Sequence, residues 1–167
     1  MRIKTPFAHW LHEAAADPDL TTMLWAAGRT APLVVGRRWD LAWIDFTLAT
    51  AVITELKARC RHIGPYVMGG AERAMWWLVP LGTGYRLAGA PGLHVYPVGA
   101  ELFVPPPDKC LGKRVWVLPE SDADTPTAAL TAPDDLRQAL ESAAQRLRRR
   151  ANDEPPPRRE PERGPEK

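Results

Sequence analysis

Asp40 and Asp45 share one apolar run, RRWDLAWIDF (residues 37–46), and carboxylates so placed are the raw material of two-metal nucleotidyl transfer. That chemistry needs acids converging on metal ions a few ångströms apart. Residues two apart on a strand share a face, so an Asp-x-Asp pair would deliver the geometry. Asp40 and Asp45 are five apart, with no acid between them, and an odd interval turns them to opposite faces. Both are therefore expected at edge or turn positions, and no pair among Asp40, Asp45, Glu72 and Glu101 is expected to bridge a metal.

The histidines offer little more. His9 and His12 stand at i, i+3 on a predicted helix but lack a third ligand at metal spacing. His62 follows a helix and is expected to meet its C-terminal carbonyls, and His94 reads as a half-buried sheet residue. No Ser, Cys or Lys sits in a nucleophile motif, and no G-x-x-x-x-G-K-[ST] phosphate loop is present. Catalytic residues, metal ligands and a cofactor are all expected to be absent.

Two features point to nucleic acid. Seven tryptophans would suit base stacking, although most sit in apolar surroundings that predict core packing. Trp76-Trp77 sends one indole to each face of a strand, one into the core, the other to the surface or under a helix. The second feature is a basic run, Arg146, Arg148, Arg149 and Arg150, followed by Arg158 and Arg159, which can attract phosphates, although a solvated helix end is the commoner fate of such a run.

The elements that must position these residues follow from periodicity. Pro6–Ala16 reads as a short helix, and Asp17-Pro18 starts a second one ending near Gly28. APLVVG and RRWDLAWIDF read as strands, and a helix runs from Thr47 to about Arg59 with Leu48, Val52 and Leu56 on one face. MGGAER is a turn. AMWWLVP, GLHVYP, AELFVP and KRVWVLP follow as four short strands, each ending at a proline. TAPDDLRQALESAAQRLRRR is a helix with Thr131 as its cap, acids early and arginines late, matching the helix dipole. The expected core is Trp39, Trp43, Leu48, Val52, Leu56, Leu78, Val95, Phe103 and Val117. The fold class is α+β, a mostly antiparallel sheet with flanking helices. Residues 1–150 form one domain, and residues 151–167, rich in Pro, Arg and Glu, form a disordered tail.

Bulk properties narrow the classes. At 167 residues the chain fits one domain with a genuine core. Arg146–Lys167 holds eight basic and five acidic residues, a net +3, so the preceding 145 residues sum to −1. The body is nearly neutral, and any phosphate attraction is expected to come from the tail. Cys60 and Cys110 cannot build a disulfide framework, and reduced, structural thiols are expected, which suits the cytoplasm. No secretory signal and no apolar run long enough for a bilayer is present, so a soluble cytoplasmic protein without a membrane partner is expected.

The order of pieces from Pro32 to Pro119 resembles the amino-terminal domain of bifunctional DNA primase-polymerases, in the archaeo-eukaryotic primase superfamily. The resemblance rests on GRRWDLAWID, the helix from Thr47, IGPYVMGGAERAMWWLVPLGT, GLHVYPVGAELFVPPPD and VWVLP. That family has an acidic pair on an early strand, then a Gly-Gly turn into a histidine-bearing strand. An acid follows, shortly before a strand of the type GGYVVAPPS. The resemblance implies that Pro105–Pro107 turn the chain away beside a nucleotide cleft. It also implies that the catalytic positions are lost: the acids are mis-spaced, Met75 and Trp76 stand in the histidine's place, and His94 and Val95 stand in that of the last acid. The implied protein is a catalytically inactive primase-polymerase-like module. Its implied role is as an accessory in DNA replication or mobile-element maintenance, with DNA, a nucleotide or a replication protein as partner. Two alternatives stay open: an active primase or polymerase with displaced acids, and a protein-interaction module with no nucleic-acid role.

Overall fold

Trp39–Asp45 (β2) and Ala74–Pro80 (β4) pair antiparallel along their whole length, from Trp39 opposite Pro80 to Asp45 opposite Ala74. The computed structural model describes residues 6–119 and 130–155. Around the β2–β4 pair, Tyr66–Gly69 (β3) joins β4, Arg114–Val117 (β7) joins β3, and Leu93–Val95 (β5) joins β2. The result is a five-stranded antiparallel sheet in the order β5-β2-β4-β3-β7. Ala31–Val34 (β1) and Glu101–Val104 (β6) form a separate antiparallel pair. The architecture is α+β.

Both faces of the large sheet are covered, so its strands are apolar on both sides. One face presents Trp39, Leu41, Val67, Trp76 and Trp116 to β1, β6 and two short helices, Pro6–Glu13 (α1) and Pro18–Ala26 (α2). The other presents Ala42, Ile44, Tyr66, Trp77 and Val79 to Phe46–Ala58 (α3), Pro133–Asp153 (α4) and a 3₁₀ turn at Gly84–Leu87. Trp76 and Trp77 are thus both buried, one in each layer.

Local chemistry explains where the helices begin. Asp17 caps α2 by accepting from the N–H groups of Asp19 and Leu20, each at 3.1 Å, with Pro18 in the first turn. Asp45 caps α3 by accepting the Leu48 N–H at 3.1 Å. Helix α3 buries Leu48, Val52 and Leu56, and α4 buries Leu136, Ala139, Leu140 and Ala143. The two run antiparallel and are cross-linked: Arg146 pairs with the buried Glu55, Arg59 donates to Ser142 at 2.6 Å, and Arg61 lies 3.7 Å from Asp135.

The proline corner after β6 is held by side chains. The Trp25 indole N–H donates to the Val104 carbonyl at 3.0 Å, and Trp116 donates to the Pro105 carbonyl at 2.8 Å. Arg114 donates to the Phe103 carbonyl at 2.5 Å. Pro105 and Pro106 are buried, and neither cavity described below is lined by Pro105–Pro107.

Several sequence expectations need correction. Phe103 is exposed because β6 buries Leu102 and Val104, and period two turns the residue between them outward. Val95 is exposed on the short edge strand β5, while Trp43 and Val117 are half-buried; the other five expected core residues are buried. Tyr66–Gly69 is a strand that was not expected. Thr131 does not cap α4: Ala132 occupies that position, and the Thr131 hydroxyl instead accepts the Gly64 N–H at 2.8 Å. Helix α4 continues through Asp153, past the expected boundary at Ala151, and stops where Pro155 disfavours helix for the residue before it. The expected tail beyond Pro155 lies outside the described residues. Cys60 and Cys110 are free and exposed rather than structural. Among the described residues, no helix is long and apolar enough to cross a membrane.

The β3–β4 turn depends on one glycine. A Cβ on Gly69 would lie 2.4 Å from Trp76 Cζ3 and 2.6 Å from Glu72 Oε2, whereas one on Gly70 would meet nothing closer than 3.7 Å. Gly69→Ala is therefore expected to destabilise by about 1–3 kcal/mol, the usual cost of forcing atoms into a packed core. Gly70→Ala should stay within about 0.5 kcal/mol of the parent. Urea unfolding of the two variants checks the difference.

Candidate functional site

A row of side chains crosses the large sheet in register. Trp43 of β2 stands directly opposite Trp76 of β4 and His94 of β5, and Val67 of β3 stands opposite Trp76 and Trp116 of β7. Direct cross-strand neighbours share a face, so His94, Trp43, Trp76, Val67 and Trp116 line up on one side of the sheet. Most of the row is covered by α1, β1 and β6. At the β5 edge the cover stops.

There the row opens into a cavity of about 310 Å³ lined by Trp43, His94, Val95, Tyr96 and Pro97. The Trp43 and His94 rings are 5.3 Å apart at 49°. Behind them, the buried Trp76 indole N–H donates to the Tyr96 hydroxyl at 3.2 Å, fixing that ring at the cavity wall. Trp43 is the one tryptophan that is not buried. The cavity offers π faces, an imidazole and a phenol, and among the described residues no carboxylate lines it. This is equipment for holding a flat ring by stacking.

On the far side of Trp76, Arg114 makes three contacts. Its guanidinium carbon lies 4.5 Å over the Trp76 ring, Nη2 lies 2.8 Å from Glu72 Oε1, and Nη1 reaches the Phe103 carbonyl. The hydrogen bond from Arg114 is the main reason that the Glu72 carboxyl is held below its ordinary pKa. This clip backs the row mechanically and leaves Glu72 committed.

The other acids are dispersed. Asp40 is buried and accepts the Gly84 N–H at 2.8 Å on the helical side of the sheet. Asp45 is the α3 cap, and Glu101 is exposed on β6. No group of three or more His, Cys, Asp or Glu among the described residues could hold a metal ion. His9 lies 3.7 Å from Glu13, while His12 is bonded to the Ala8 carbonyl and to Thr22, so the two do not share a site. His94 is exposed rather than half-buried, because β5 is the edge of the sheet.

The basic run is described only as far as Arg150. Arg146 is taken up by Glu55; Arg148, Arg149 and Arg150 are exposed at the end of α4; Arg158 and Arg159 lie outside the described residues. Sequence reasoning passed over Tyr96 and undervalued Trp43. The alternation in LAWID already turned Trp43 away from Ala42 and Ile44, but only the pairing with β5 shows that its ring lies at an open edge.

No family model, curated protein or solved structure matches the chain.

The Glu72–Arg114 clip has a pH signature. A carboxyl whose pKa is lowered by folding contributes stability above its unfolded pKa, and loses it as pH falls through the folded value. Thermal midpoints measured from neutral to acidic pH should therefore fall on the acid side. Glu72→Gln should flatten that acid limb while changing the neutral plateau less than Arg114→Ala does.

Proposed function

We propose that the chain is a binding module rather than an enzyme, built like a primase-polymerase domain without its metal acids. In this reading it takes single-stranded DNA or a nucleotide by stacking a base against Trp43 and Tyr96. Its role is that of an accessory protein in DNA replication or in the maintenance of a mobile element. The observation that carries the reading is the row itself. Trp76 and His94 are the residues that the family resemblance puts in place of catalytic side chains. Strand pairing brings both beside Trp43, with His94 lining the open cavity and Trp76 buried behind it. In the resemblance, Trp76 stands in the place of a histidine and His94 in that of the last acid, while Asp40 and Asp45 are used to fix backbone turns.

Stacking on an aromatic platform contributes about 1–3 kcal/mol per base, more than solvent-exposed arginines add once salt screens them. Arg148, Arg149 and Arg150 lie on the helical layer, across the sheet from the cavity, and serve here as a secondary, sequence-independent attraction. Binding of a fluorescent oligo-dT and of nucleotides, at several salt concentrations, tests the proposal. Trp43→Leu keeps apolar bulk in the row and removes the π face; it should weaken binding roughly tenfold with an unchanged circular dichroism spectrum. Replacing Arg148, Arg149 and Arg150 with alanine should shallow the salt dependence without abolishing binding. Unchanged affinity in Trp43→Leu would refute the stacking site. No affinity for any nucleic acid or nucleotide would favour a protein-interaction module, and metal-dependent nucleotide incorporation would favour an active polymerase.

A further inference from the structure

A second cavity, of about 390 Å³, lies at the opposite edge of the sheet and on its opposite face. It is bounded by the C-terminal end of α3, the loop that follows, the start of β3 and the end of β7. Lys57, Arg61 and His62 provide one wall, while Ile53, Ile63, Tyr66, Val117 and Leu118 provide an apolar one. Among the described residues, no carboxylate lines it. Lys57 has no carboxylate partner among the described residues. Among the described residues, Arg61 is shared only with Asp135, at 3.7 Å, with more than half of its side chain exposed. An exposed pair of that kind contributes little, so it does not fix the guanidinium.

Cations at a helix C-terminus are favoured by the macrodipole alone, and that accounts for Lys57 in the last turn of α3 and for Arg61 just beyond it. It does not account for the hollow between them and an apolar wall. The hollow has a firm back: Tyr66 stacks on Trp77 with ring centroids 4.8 Å apart, and Gly64 is tied to Thr131. Burial raises the Tyr66 pKa, so its phenol stays neutral and adds no negative charge to the wall.

We infer that this cavity binds a small amphipathic anion, a carboxylate or phosphate head carried on an apolar body. The head meets Lys57 and Arg61, and the body lies against Ile53, Ile63, Val117 and Leu118. The site is independent of the Trp43 cleft.

Calorimetric titration of the intact protein with octanoate, octyl phosphate, octanol and inorganic phosphate tests the inference. A charge-assisted contact is stronger than a neutral one, so at least one of the two anionic amphiphiles should bind roughly tenfold more tightly than octanol. Whichever head group binds more tightly identifies the source of the charge. Inorganic phosphate alone should bind more weakly than octyl phosphate. Lys57 is exposed, so Lys57→Met should fold normally, weaken anion binding severalfold and leave octanol unaffected. Trp43→Leu should change none of these affinities. Equal binding of octanol and both anions, inorganic phosphate binding as tightly as octyl phosphate, or no effect of Lys57→Met would overturn the inference. Loss of octanoate or octyl phosphate binding in Trp43→Leu would place that binding in the other cleft and would overturn it too.

Discussion

The cross-strand row from His94 through Trp43, Trp76 and Val67 to Trp116 is the constraint on which the rest of the fold depends. Side chains alternate along a strand, so slipping any one pairing by a residue would send that strand's member of the row to the other face. Trp76, at the centre, is held from several directions. Gly69 leaves room for its ring, Arg114 lies over it, and Tyr96 receives its N–H. Fixing Trp76 fixes the turn before β4, the position of β7 and one wall of the cleft at once.

The carboxylates show how the same constraint shapes function. Asp40 and Asp45 flank Trp43, yet each is committed to a backbone N–H, one at the 3₁₀ turn and one at the start of α3. Glu72 is committed to Arg114. These acids hold the ends of the elements that carry the rings, so the polar groups serve as architecture and the rings of Trp43 and His94 are left at the open edge. The cleft and the basic cavity sit at opposite edges of one sheet, each beside a short terminal strand.

Elements whose signals are local were legible in the sequence. Asp17-Pro18 marked the start of α2, the spacing of Leu48, Val52 and Leu56 marked the buried stripe of α3, and apolar runs marked β2 and β4. What was not legible depends on contacts distant in the chain. Tyr66–Gly69 is too short and too plain to read as a strand, and becomes one because Tyr66 stacks on Trp77 and β7 pairs beside it. Thr131 looks like a helix cap until the Gly64 N–H claims its hydroxyl. Phe103 looks like core because its neighbours are apolar, but only the pairing of β6 with β1 decides which way it turns. The candidate sites were hidden for the same reason: Trp43 meets His94 through strand pairing. Lys57, Arg61 and His62 gain their setting from Val117 and Leu118, far along the chain.

The β1–β6 pair is a two-stranded sheet, an arrangement with two outer edges that can template further strands. Here both rims are blunted without a third strand. Along β1, Val34 donates to the Ala14 carbonyl, Ala15 bridges Leu33, and Pro32 has no N–H to offer. Along β6, Arg114 and Trp116 occupy the carbonyls of Phe103 and Pro105 from the side. The side chains that hold the proline corner thus also cap carbonyls that an added strand would need. A Trp116 replaced by an aliphatic residue would lose its indole donor and expose a carbonyl at the margin where a second copy could begin to add.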